Sequence, residues 1–264
     1  MTQASNFIWY ELMTPDPVGA AAFYGAVVGW TISADSDPAA GDVDYRMIVR
    51  SDGGHAGGVL ALNADMLAGG ARPGWLGYLD VADVDAAVAA IVGDGGAVHM
   101  PATDLPVGRM AMVADPQGAP FYVMKPVPPE GMEGMESDVF SVTEAQHVRW
   151  NELATSDPDA AIAFYARHFG WGQEGEMPMG ELGAYRFIQR GDVGLGAVMP
   201  LMEGMPAPAW TFYIGVDDID RAAAAVTAEG GTITNGPMEI PGGEYAMNAI
   251  DPQGAAIGLV GPRK

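Results

Sequence analysis

The chain has 264 residues, 49% of them hydrophobic, and a formal net charge of −22. That length points to about two domains, and the apolar content is enough for two ordinary cores. Such an acidic chain repels phosphate backbones, which argues against nucleic acid as a partner. With no cysteine, disulfides, thiolate nucleophiles and cysteine-based zinc sites are ruled out.

Met1 to Asn6 is short and polar and does not resemble a signal peptide, and no apolar run approaches the roughly 20 residues of a membrane span. A cytoplasmic location and no membrane partner are therefore expected. Phe7 to Met13 reads as a strand that ends at Thr14-Pro15-Asp16-Pro17. Asp16 is a good helix cap and Pro17 suits the first helical position, where its missing N–H costs nothing. Ala20, Phe23, Tyr24 and Val27 then form one apolar helical stripe, and Gly29 stops the helix before Trp30 opens a strand. Asp42 to Val49 and His55 to Leu62 are the next expected strands, and Asn63 to Pro73 reads as a loop.

The pattern then restarts. Trp75 to Val81 is a strand, Asp83 caps an Ala-rich helix over Val84 to Val92, and strands follow at Ala97 to Met100, Arg109 to Ala114 and Pro120 to Met124. The last two are joined by Asp115-Pro116-Gln117-Gly118, a tight-turn signature. Lys125 to Asp138, rich in Pro, Gly and Glu, reads as a semi-extended linker. The second half repeats the first. Trp9, Glu11, Asp16-Pro17, Phe23-Tyr24 and Gly29-Trp30 return as Trp150, Glu152, Asp157-Pro158, Phe164-Tyr165 and Gly170-Trp171, each offset by 141 positions. Asp218 caps another helix over Ile219 to Ala228, and Asp251-Pro252-Gln253-Gly254 repeats the tight turn. The expected division is a domain over 1–126, a linker over 127–144 and a domain over 145–264.

These motifs, in this order, resemble the glyoxalase / bleomycin-resistance / dioxygenase superfamily, also called the vicinal oxygen chelate superfamily. The resemblance covers nearly the whole chain outside the linker. It implies an α+β fold of tandem βαβββ modules, four in total, forming two cup-shaped mixed-sheet domains. It leaves activity open, because the superfamily holds isomerases, epimerases, dioxygenases, transferases and non-catalytic drug binders.

In catalytic members of that family the cup holds a divalent metal on His, Glu or Gln side chains, with one ligand on a module's first strand and another on its last. Carried over, the first-strand positions fall at Trp9, at or beside Trp75, and at Trp150 and Trp210. The last-strand positions fall at Tyr122 and Gly258. Indole and glycine offer no metal donor and Tyr is a poor one, so no cofactor is expected, with a divalent metal kept as the alternative.

Glu11 and Glu152 stand two residues from Trp9 and Trp150 and so share a strand face with them. They are the candidate acid/base residues, and a scaffold role for a repeated Glu stays open. Trp9, Trp75, Tyr78, Tyr122, Trp150, Trp210 and Tyr213 are the candidate aromatic lining, and Arg109 is a candidate partner for an anionic substituent unless a surface ion pair takes it up. The expected function is binding of an aromatic or apolar small molecule, with metal-independent lyase- or isomerase-type chemistry open. Two alternatives stand beside it: a metal-dependent lyase, isomerase or dioxygenase using Glu11, His55 or Glu152, and a non-catalytic drug-binding module. The expected assembly is a monomer with a pseudo-twofold domain pair, or a homodimer.

Overall fold

The computed structural model describes residues 5–128, 131 and 134–264. Residues 1–4 of the polar N-terminal stretch, and Pro129, Glu130, Met132 and Glu133 of the expected linker, lie outside the described residues.

Four βαβββ modules follow one another. The first comprises β1 (Phe7–Thr14), α1 (Pro17–Val28), β2 (Thr31–Ile32), β3 (Tyr45–Val49) and β4 (His55–Ala61), followed by a short helix, α2 (Ala64–Ala68). The second comprises β5 (Gly74–Asp80), α3 (Val84–Gly93), β6 (Ala97–Leu105), β7 (Gly108–Ala114) and β8 (Pro120–Pro126). The third comprises β9 (Val148–Thr155), α4 (Pro158–Phe169), β10 (Gly172–Pro178), β11 (Ala184–Arg190) and β12 (Val193–Pro200). The fourth comprises β13 (Ala209–Gly215), α5 (Ile219–Ala228), β14 (Thr232–Glu239), β15 (Tyr245–Ile250) and β16 (Ala256–Gly261).

Local chemistry sets the element ends. Asp16 accepts from Gly19 N at 2.9 Å, Asp83 from Ala86 N at 3.0 Å, Asp157 from Ala160 N at 3.0 Å and Asp218 from Asp220 N at 2.9 Å. Each satisfies a helix N–H that has no partner inside the helix. Gly29 and Gly170 end α1 and α4 in the left-handed region, at φ 86° and 70°. One element departs from the sequence reading. The expected loop at Asn63 to Pro73 contains α2, capped by Asn63 onto Met66 N at 2.9 Å. The strand implied after Trp171, the counterpart of Trp30, is β10, which is exposed along its whole length.

The strands form two mixed eight-stranded sheets, ordered β2-β3-β4-β1-β5-β8-β7-β6 and β10-β11-β12-β9-β13-β16-β15-β14. Within each module the first strand pairs in parallel with the last, as in Glu11 opposite Gly58 and Tyr78 opposite Tyr122. The other pairings within a module are antiparallel.

The chain clusters into two compact units. The first gathers the described residues of Met1–Ile8 with Gly77–Ser137 and Trp150–Trp210, and the second gathers Trp9–Leu76, Asp138–Arg149 and Thr211–Lys264. Each unit thus draws most of one module from each half of the sequence. In the first, Tyr165 is fully buried, stacks on Trp171 at 5.3 Å and meets Trp210 edge-on at 5.3 Å. In the second, Tyr24 is fully buried between Trp30 and Trp75.

Both units carry the same buried hydrogen-bond relay. Trp75 Nε1 donates to Tyr24 Oη at 2.9 Å, and Tyr24 donates to Asp251 Oδ2 at 3.0 Å. Trp210 Nε1 donates to Tyr165 Oη at 3.1 Å, and Tyr165 donates to Asp115 Oδ2 at 3.2 Å. Each Asp turns its other oxygen to the N–H groups of its own Asp-Pro-Gln-Gly turn. Burial raises the pKa of both carboxyls and pushes both phenols well above their ordinary value. Among the described residues, no helix is long and apolar enough to cross a membrane.

Candidate functional site

Alternation along β9 puts Trp150 and Glu152 on one face, and alternation along β11 puts Tyr185, Phe187 and Gln189 on one face. The two sets meet. Trp150 Nε1 donates to Tyr185 Oη at 2.7 Å, and the Tyr185 hydroxyl donates to Glu152 Oε2 at 2.7 Å. Tyr185 thus gives its one hydrogen to the carboxylate and accepts from the indole, so ring, phenol and acid are linked. Glu152 is buried, while Trp150 keeps part of its surface exposed.

An open basin of about 480 Å³ lies beside this group. Trp150 and Phe187, edge to face at 6.1 Å, line it together with Gly194, and Glu174, Gln189 and Asp192 supply its polar groups. Asp192 sits in the two-residue turn that joins β11 to β12, where Gly191 takes the positive φ of 58° that the turn requires. The next arginines along β11, Arg186 and Arg190, alternate onto the opposite face. Arg186 pairs there with Asp159 at the start of α4.

The first module repeats part of this arrangement. Trp9 Nε1 donates to Tyr45 Oη at 2.7 Å. Glu11 is 2% exposed and lies opposite Gly58, where an added Cβ would collide with the Tyr45 hydroxyl. Tyr45 therefore hangs over Gly58 beside Glu11. Met47 holds the place of Phe187, and the His55 ring packs edge-on to Trp9 at 6.1 Å. Tyr45 and Tyr185 were not singled out from the sequence. They recur at an offset of 140 rather than 141, and that near-match was the available signal.

The structure separates the remaining candidates. Tyr78 and Tyr122 are brought together as a stack at 4.2 Å. Tyr213 lies over Gly258, where a Cβ would come within 2.5 Å of its ring, and its hydroxyl accepts from Asn248 Nδ2 at 3.0 Å. Three expectations are corrected by strand parity. Trp75 stands three residues from Tyr78, and Trp210 three from Tyr213, so each pair faces opposite ways. Trp75 and Trp210 turn toward α1 and α4 and are core residues, 7% exposed, with their N–H groups committed to Tyr24 and Tyr165. Arg109 stands three residues from Met112, the cross-strand neighbour of Tyr122, and so faces away from the tyrosine stack. Its guanidinium is taken up by Asp85 at 2.8 Å and Asp104 at 2.9 Å, which hold its pKa above the ordinary arginine value.

The family's metal does not fit the residues present. Trp9 and Trp150 offer only N–H groups, already donated to Tyr45 and Tyr185. Beside Trp75 and Trp210 the opposite face carries Leu76 and Thr211. Aromatic rings fill both last-strand positions: Tyr122 stacked on Tyr78, and Tyr213 lying over Gly258. The histidines are spread apart. His55 is on Trp9, His147 bonds Ala145 O, His168 bonds Asp94 and His99 is exposed. Among the described residues, no three His, Asp or Glu side chains converge as a metal-holding group.

Comparison with known proteins agrees with this architecture. The model of the Glyoxalase/Bleomycin resistance protein/Dioxygenase superfamily matches residues 6–123 and 145–259. The chain is 35% identical to the protein named "Putative glyoxylase CFP32" of Mycobacterium bovis, over 96% of this chain and 94% of that protein. It is 31% identical to "Anthracycline biosynthesis protein DnrV" of Streptomyces peucetius, over 96% of this chain and 91% of that protein. In fold it is similar to a Mn(II)-bound glyoxalase from Novosphingobium aromaticivorans, with a TM-score of 0.61 and 15% identity over 100% of this chain and 84% of that one. The chain belongs to the Glyoxalase/Bleomycin resistance protein/Dioxygenase superfamily.

Proposed function

We propose that the chain binds an aromatic or apolar small molecule in the basin beside Trp150 and Phe187, and that Glu152 serves as a metal-independent acid/base group for it. One observation carries the reading: a ligand-sized aromatic basin whose indole is tied through Tyr185 to a buried carboxylate. A relative named for anthracycline biosynthesis supports a flat aromatic ligand, and one named as a glyoxylase supports an enzyme. The first module, with Glu11, Trp9 and Tyr45, carries the counterpart site. There His55 lies against the indole and Met47 replaces Phe187.

Binding of a panel of planar aromatics, followed by equilibrium dialysis and product analysis, tests the reading. Trp150→Ala weakens binding. Glu152→Gln leaves affinity nearly intact and abolishes turnover. Turnover that survives Glu152→Gln overturns its acid/base role. A second reading rests on the same hydrogen bonds: Tyr185 and Glu152 serve only to hold Trp150 in place, and the module binds without chemistry. It predicts binding with no product from any ligand. Stoichiometric zinc, iron, nickel or manganese in protein purified without chelator overturns the metal-free part.

A further inference from the structure

We infer that the basin in the third module selects an organic cation, a flat aromatic molecule carrying a protonated amine; this rests on the reading of that basin as the ligand site. Its apolar wall is the indole of Trp150 and the ring of Phe187, set edge to face. A cation is attracted to the face of such rings, and to indole most strongly. Its ionisable lining residues are both acids. Glu174 enters from the exposed strand β10 and Asp192 from the turn after β11. Gln189 contributes an amide, whose Nε2 lies 3.4 Å from Glu174 Oε2. Among the described residues, no lysine or arginine lines the basin.

The two arginines of β11 have acidic partners away from the basin. Arg186 and Arg190 alternate onto the other face of β11. Arg186 pairs with Asp159, and Arg190 lies 3.7 Å from Glu136. A negatively charged ligand would therefore meet two carboxylates with no counter-ion. A neutral one would use the rings alone. An ammonium on an aromatic frame satisfies both halves of the basin, and the chain's net charge of −22 favours its approach.

Equilibrium dialysis of the intact protein with proflavine, a planar tricyclic cation, and acridone, a neutral planar tricycle, tests the inference. Proflavine binds the wild-type protein more tightly than acridone. The double substitution Glu174→Gln with Asp192→Asn weakens proflavine binding about fivefold, the scale of losing two exposed ion-pair contacts, and leaves acridone unchanged. Trp150→Ala weakens both. A charge-matched control, Glu229→Gln with Glu239→Gln, leaves both unchanged. Equal binding of the two probes, or an equal loss in the control, overturns the cation preference and leaves the aromatic basin standing. Two probes indifferent to Trp150→Ala overturn the underlying site itself.

Discussion

Tyr165 donates its hydroxyl hydrogen to Asp115 Oδ2 at 3.2 Å across 50 residues of sequence, joining α4 of the third module to the tight turn of the second. The phenol oxygen accepts from Trp210 as well, so one hydroxyl bridges a strand, a helix and a turn. Replacing it with Phe leaves a buried indole N–H and a buried carboxylate oxygen without this partner. Tyr165→Phe is expected to cost about 1–3 kcal/mol, read as a shift in urea midpoint at constant slope. Tyr24→Phe repeats the loss in the other unit through Asp251.

The same phenols set a pH response. Burial first, and the neighbouring Asp second, raise the pKa of Tyr24 and Tyr165 well above 10.0. Above about pH 10 an unfolded tyrosine loses its proton while the folded one keeps it. The unfolded state then binds fewer protons, so stability falls as pH rises. Asp115 and Asp251, also raised by burial, give the same sign in acid, where their contribution is full below 3.8 and is lost as pH climbs through their folded values. Thermal melts should show a steep alkaline decline above pH 10, shallower in Tyr24→Phe/Tyr165→Phe. An unchanged slope in that variant would assign the decline to other groups.

Core and site tryptophans should separate experimentally. Trp75→Phe and Trp210→Phe remove N–H groups bonded inside the core and should lower the melting temperature without changing ligand affinity. Trp150→Phe keeps an aromatic wall but removes the N–H that donates to the Tyr185 hydroxyl, and should change affinity more than stability.

Gln146 is a non-glycine residue held at a φ of 64°. Its side chain donates to Gly29 O at 3.1 Å and Val28 O at 3.3 Å, and accepts from Ser51 N at 2.7 Å, while its own carbonyl accepts from Trp30 Nε1 at 2.9 Å. It thus caps the carbonyl end of α1 from far along the chain. Gln146→Ala keeps the left-handed backbone and loses the side-chain bonds. It should cost about 1–3 kcal/mol by denaturant titration, and Gln146→Gly should cost less because the conformation relaxes.

Gly258 offers a steric test of the filled metal position. Gly258→Ala drives a methyl into the Tyr213 ring and should cost about 1–3 kcal/mol, with the Tyr213–Asn248 bond lost. Added Mn(II) should leave the melting temperature of the wild-type protein unchanged, because stabilisation requires binding to the folded state.

The signals that proved legible in the sequence were local. Asp16, Asp83, Asp157 and Asp218 marked helix starts because a short acidic side chain has one obvious use before an apolar stripe. Gly29 and Gly170 marked the ends for an equally local reason, and the doubled motifs revealed the repeat. Facing was harder to read. Trp75 and Trp210 take their expected facing from position relative to a motif and Arg109 from being a lone cation near Met110 and Met112, and a shift of one residue along a strand reverses the face. β10, polar on both faces, is marked only by the repeat of Trp30 as Trp171, and α2 is unmarked because five residues carry little periodicity. The Trp–Tyr–Glu group depended on Tyr45 and Tyr185, whose significance lies in a contact with a different strand.

The distance along the chain between Tyr24 and Asp251 has a kinetic meaning. They are 227 residues apart, yet their bond lies inside one compact unit. During synthesis that unit cannot complete its relay until residue 251 has left the ribosome. Pairings so remote in sequence make folding slow and leave the nascent chain open to aggregation. A ribosome that stalls before residue 251 would therefore leave behind a sticky fragment, not a finished first domain.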